Sequence, residues 1–266
     1  MKEIAKKISN PETLRFVLAL TFFGHALVNF GFSPLIGLHT NLVNTANKIL
    51  GSFIGWQIPV DSFLTGLGIA EIIVTILLVA GWGIRWLIPV LIGYLTVVGL
   101  LAYTMYYFNK QSFFGFAEVM RRLPWIFTAI ALYLWRTKRE LKPNLVRIGL
   151  AFAFLAHGTA SLGLLGFNKG HIDLAVQVVP EEYARDFVFY TGISDTIIGL
   201  SLLTGIGARW LIFPALLWIL FVVIVSFIFA ISDGIFRLGF LLMALWTFVY
   251  LWKDKLLDEQ PVKAQR

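Results

Sequence analysis

Leu14–His39 reads LRFVLALTFFGHALVNFGFSPLIGLH, and Val146–His171 reads VRIGLAFAFLAHGTASLGLLGFNKGH. A shift of 132 residues lays Arg15 on Arg147, His25 on His157 and His39 on His171, and so pairs all four histidines of the chain. Each copy places a histidine inside a run apolar enough to cross a bilayer. Ionisable groups at such depth are costly and mark functional sites by default.

Working outward, the composition is that of a membrane protein. Of 266 residues, 58% are hydrophobic and 14% charged, the mean hydropathy is +0.80, and a soluble domain carries about 25% charged residues. The lipid bilayer is therefore the first partner. The net charge of +7 is spread over loop ends, which reads as membrane topology and excludes a nucleic-acid surface. The chain has no cysteine, which excludes disulfides, thiol relays and iron–sulfur clusters of its own. A basic leader (Lys2, Lys6, Lys7) precedes a first apolar run too long for a signal peptide and without a small-residue cleavage site, so that run is expected to be a retained helix.

Hydropathy predicts eight helices, over about 13–33, 62–81, 86–108, 119–135, 145–166, 186–206, 210–231 and 235–252. The connection 34–61 keeps Leu42, Ala46, Ile49, Leu50 and Phe53 at helical spacing and predicts an amphipathic helix on the membrane surface. GWGIRW after the second predicted helix recurs as GIGARW after the sixth, here with a shift of 124. The fold expected is all-α: eight transmembrane helices in two tandem four-helix repeats, residues 1–143 and 144–254, followed by a polar tail, 255–266. Four is an even number, so both repeats point the same way and a pseudo-twofold along the membrane normal relates them. One side of this arrangement carries 15 Lys and Arg, the other seven. That bias predicts a multi-pass protein of the plasma (inner) membrane with both termini cytoplasmic.

At 1.5 Å per residue, His25 and Glu71 both fall about 12–14 Å below the outer surface, and His157 and Asp195 match them in the second repeat. Arg122 and Arg237 come within one or two turns of that depth. Asn29 shares a face with His25, and Ser161 with His157. Gly68, Glu71 and Thr75, like Thr191, Gly192, Asp195 and Gly199, form small or polar faces suited to helix–helix contact. These residues predict a polar pocket in each repeat. His25, Glu71, His157 and Asp195 are its candidate proton-handling groups; Arg122, Arg237, Asn29, Ser161, His39 and His171 are candidate binding groups. A plainer reading exists for each. Glu71 and Asp195 can be ion-pair partners of Arg122 and Arg237, His25 and His157 core histidines, His39 and His171 solvated loop residues, and Arg85 and Arg209 interface anchors.

The arginine opening the first helix, Gly24-His25 and His157-Gly158 within it, and the acid-to-arginine runs Glu71–Gly81–Arg85 and Asp195–Gly205–Arg209 together resemble the DoxX/DoxD family of small four-helix membrane proteins, here as two fused copies. The first copy departs from the family pattern in the order of its glycine and histidine, and the second in having aspartate for glutamate. The resemblance implies a subunit of a quinone-linked oxidoreductase, with quinone as the bound redox molecule and a partner subunit as electron source. The residues leave other readings open: haem held by His25 and His157; a metal on His25, His39 and Glu71, which a nearby arginine disfavours; and a scaffold, assembly factor or small-solute transporter with no redox chemistry. A homo-oligomer is compatible with all of them.

Overall fold

In the computed structural model, residues 2–33, 36–108, 112–163 and 169–256 are described. They are helical, with no strand among them: α1 (Lys2–Ile8), α2 (Thr13–Asn29), α3 (Ile36–Ile54), α4 (Val60–Ala80), α5 (Ile84–Phe108), α6 (Ser112–Met120), α7 (Leu123–Lys138), α8 (Pro143–Ser161), α9 (Lys169–Ala175), α10 (Glu181–Thr204), α11 (Ala208–Phe229) and α12 (Ile231–Leu256). Five of these, α4, α5, α10, α11 and α12, are long and apolar enough to cross a membrane.

The eight predicted helices appear, with three differences. The first and fifth are shorter than expected: α2 stops before Gly31 and α8 before Gly163, where positive φ (84° and 66°) turns the chain. The predicted fourth helix, 119–135, is not continuous. Pro124 lacks an N–H and its ring would collide with the carbonyl of residue 120, so α6 ends at Met120 and α7 begins anew, with Arg121 and Arg122 in the break. The second connection, for which no helix was predicted, carries the short helix α9. The polar tail lies outside the described residues from 257 onward.

Four helices form the centre. α2 packs on α12, α12 on α8, α8 on α7 and α7 on α2. Four of the five long apolar helices lie outside them: α4 on α2, α5 on α7, α10 on α8 and α11 on α12. One continuous core, from Leu14 through Trp125 to Trp246, runs through both sequence halves. This layering explains the hydropathy pattern. The outer helices present apolar faces such as Ile69, Ile73 and Ile76 of α4, as a lipid-facing surface requires, whereas α2, α7 and α8 are surrounded by protein and are shorter and less apolar.

Glycine sets the closest helix approaches. A Cβ at Gly24 would lie 2.8 Å from Cβ of Phe236, which fixes the α2–α12 contact; one at Gly158 would lie 2.8 Å from the Thr196 backbone nitrogen, between α8 and α10. Gly81 and Gly205 end α4 and α10 in the left-handed region (φ 75° and 83°), and the Arg15 and Arg147 guanidinium groups lie against them. A cation at a helix C-terminus meets the negative end of the helix dipole. The repeated arginine thus has a structural place, covering the end of the neighbouring helix.

Candidate functional site

A cavity of about 730 Å³ opens between the central helices, and residues of both halves line it. Its walls are mainly apolar, with Leu38, Leu42 and Val43 of α3 on one flank and Leu174 and Val178 around α9 on the other. Trp125 of α7 packs against Phe236 and Phe240 of α12 at ring distances of 5.4 and 4.2 Å, and all three belong to the lining. A second cavity of about 700 Å³, on the polar flank of α3 by Asn41, Asn44 and Lys48, holds no histidine.

The two outer histidines are not solvated loop residues. α3 and α9 carry their histidines inward, and His39 stacks on His25 (5.5 Å between ring centres) as His171 stacks on His157 (4.9 Å, rings parallel). All four line the cavity. Burial, reinforced by Arg122, pushes His39 down to about 4; burial, with Arg121 and Arg237, pushes His171 down to about 3. Both are therefore neutral near pH 7, and their neighbours fix the tautomers. Arg121 Nη2 donates to His171 Nε2 (3.1 Å), so Nδ1 carries the proton and donates to Ser161 Oγ (2.7 Å). His39 Nδ1 donates to Asn29 Oδ1 (2.5 Å), because Asn29 Nδ2 is committed to Glu71 Oε2 (2.7 Å).

Glu71 ends that chain. Its other oxygen, Oε1, accepts from Tyr94 OH of α5 (2.9 Å). Glu71 itself stands behind the lining, while Tyr94 faces the cavity. Asn29 separates His39 from Glu71, so the metal set of His25, His39 and Glu71 does not assemble; among the described residues no three His, Asp or Glu side chains group as metal ligands. Asp195, the matched acid on α10, lines the cavity directly.

The arginines pair differently from the sequence expectation. Arg122 and Arg121 both bind Glu118, and Arg237 binds Asp233 and Ser226. Glu71 and Asp195 are the partners of neither Arg122 nor Arg237. Each arginine follows its acid by one helical turn, in Glu118-Val-Met-Arg-Arg122 and Asp233-Gly-Ile-Phe-Arg237, a spacing that brings side chains together on a helix. That spacing was the available signal for Glu118 and Asp233, which sequence reasoning passed over. No such signal marks Tyr94. The consequence is electrostatic: two guanidinium groups share the Glu118 carboxylate, which leaves one positive charge unbalanced at the cavity wall. Arginine donors at such a wall favour a bound oxygen that carries or gains negative charge.

Arg85 and Arg209, expected as interface anchors, each meet a tryptophan ring. Arg209 lies 4.5 Å over the Trp252 ring, whose Nε1 donates to the Arg209 carbonyl (2.8 Å), and Arg85 lies 5.8 Å from the Trp86 ring centre.

Comparisons with protein-family models, curated proteins and solved structures give no match.

Proposed function

We propose that the chain is an eight-span membrane protein of the DoxX/DoxD type, built of two parallel repeats, whose central cavity takes an amphipathic redox molecule of the quinone class. The carrying observation is the cavity itself: apolar walls over most of its surface, with His25, His39, His157, His171, Arg121, Arg122 and Arg237 converging on it. Its size falls within the range of small-molecule sites. A quinone requires an apolar slot for its tail and hydrogen-bond donors for two carbonyl oxygens; the imidazole N–H groups of His25 and His157 and the guanidinium groups supply them. Such a molecule, when bound, accepts or yields electrons with protons, and the chain contributes donors, a positive wall and a carboxyl group for the proton. The electrons then come from a partner subunit. The central helices α2, α7 and α8 complete the eight spans in this reading, shielded from lipid by the outer layer, and the Lys and Arg bias puts both termini in the cytoplasm of a cell whose plasma membrane holds the protein.

The test uses tryptophans already on the lining, Trp125 and Trp218. Decylubiquinone added to the purified protein in detergent is expected to quench their fluorescence saturably, and Arg122→Gln to weaken the effect about tenfold, as loss of a charged donor does. Quenching that stays linear in quinone concentration sinks the proposal and moves the assignment to a carrier or scaffold. An absorption spectrum of the same sample with a Soret band lost in His25→Ala would move it to haem.

A further inference from the structure

The two matched acids have unequal surroundings, and the inference drawn from this rests on the cavity reading above and deepens it. Glu71 is 2% exposed, accepts one hydrogen bond on each oxygen, and stands behind the lining. Asp195 is equally buried, at 3%, yet it lines the cavity, and its Oδ1 has no hydrogen-bond partner among the described residues. The donors that close Glu71 are missing on the second side. A shift of 124 puts Trp218 where Tyr94 stands, and a shift of 132 puts Ser161 where Asn29 stands. Trp218 has an indole N–H in place of the hydroxyl, but it does not bond Asp195 Oδ1, and the ring packs among Phe187 and Phe221. The Ser161 oxygen is engaged with His171.

The other buried acids on the lining are not free to act. Glu118 is held by two arginines and Asp233 by one, and Asp173 is exposed. A carboxylate buried without a compensating donor or cation costs more than its neutral form, so such a group keeps a proton. We propose that Asp195 faces the cavity as a neutral carboxylic acid that donates its O–H to a carbonyl oxygen of the bound molecule, while Glu71 is a closed structural acceptor. The site is thus one-sided, although the sequence repeats it.

Dicyclohexylcarbodiimide separates the two acids. It is an apolar reagent that reacts with protonated carboxyl groups: the carboxyl oxygen bonds to the central carbon, the proton passes to a nitrogen, and the O-acylisourea rearranges to a stable N-acylurea. The full chain in detergent is treated with and without decylubiquinone and mapped by peptide mass spectrometry. Modification is expected at Asp195 and not at Glu71, with decylubiquinone protecting Asp195. Asp195→Ala, checked for folding by size exclusion, is expected to weaken quinone quenching about tenfold. No modification at Asp195, or equal modification at Glu71, overturns the inference, and this holds even where the variant fails to fold. Asp195→Ala protein that binds decylubiquinone like the wild type also overturns it and leaves the cavity reading standing. Wild-type protein that takes up no quinone while Asp195 is still modified overturns the quinone reading and leaves a neutral, cavity-facing Asp195 supported.

Discussion

Tyr94 holds Glu71 closed, and a single oxygen is the difference between it and phenylalanine. Tyr94→Phe leaves Glu71 Oε1 buried without a donor, at a cost of about 1–3 kcal/mol. The variant is expected to unfold at lower temperature in detergent and to gain carbodiimide modification at Glu71, where none is expected in the wild type. Unchanged stability with an unreactive Glu71 would mean that Asn29 alone suffices. At this scale the sequence was informative about which groups matter but not about their partners. Glu71, Asp195 and the four histidines stand out because ionisable groups are rare in apolar runs. Tyr94 is one of eight tyrosines, 23 residues from the acid it serves, and nothing in its spacing announces the contact. Arg122 was drawn toward Glu71 by depth alone, yet Glu118 lies four residues before it, at the end of α6, and wins because a local pair needs no long-range docking.

At the level of elements, the small-residue faces read in the sequence are the places where helices meet. A Cβ at Gly158 would press on backbone of α10, which has no way to yield: Thr196 N at 2.8 Å and Gly192 O at 3.0 Å. Gly158→Ala is therefore expected to separate α8 from α10 at a cost of about 1–3 kcal/mol. Gly93 of α5 is exposed and has nothing within 4 Å of its position, so Gly93→Ala is expected to be neutral or slightly stabilising, as in any helix interior. Parallel thermal unfolding of the two variants checks the contrast, and equal effects would refute the packing argument. The α6–α7 break had a visible cause in Pro124, but the surrounding apolar run masked it. The inward tilt of α3 had only half a signal. Its amphipathic spacing predicts a helix with two faces, and the apolar face was taken to meet lipid, whereas it also covers the cavity.

For the whole molecule, the central contacts join the two halves of the chain: α2 to α12, and α7 to α8. Neither residues 1–143 nor 144–266 can bury its central helices alone. Each half expressed separately is expected to aggregate or be degraded, and co-expression of the two is expected to restore a complex that purifies as one species in detergent. A half recovered alone as a monodisperse, helical species would show that the central contacts are not needed for folding.

Sequence alone determined that this chain is a helical membrane protein with a doubled pattern, where its main helices lie, and which rare polar residues interrupt its apolar runs. Those properties follow from composition, from periodicity and from the cost of ionisable groups in lipid, all local along the chain. Tertiary structure decided what those residues do to one another: that His39 and His171 turn inward to stack on His25 and His157, that the arginines bind Glu118 and Asp233, that one cavity serves both halves, and that Asp195 is open where Glu71 is closed. Each of these depends on side chains brought together from distant helices. A repeat in the sequence can mark the matched positions, but only packing shows that Tyr94 bonds its acid whereas Trp218, at the matched position, leaves Asp195 Oδ1 without a donor.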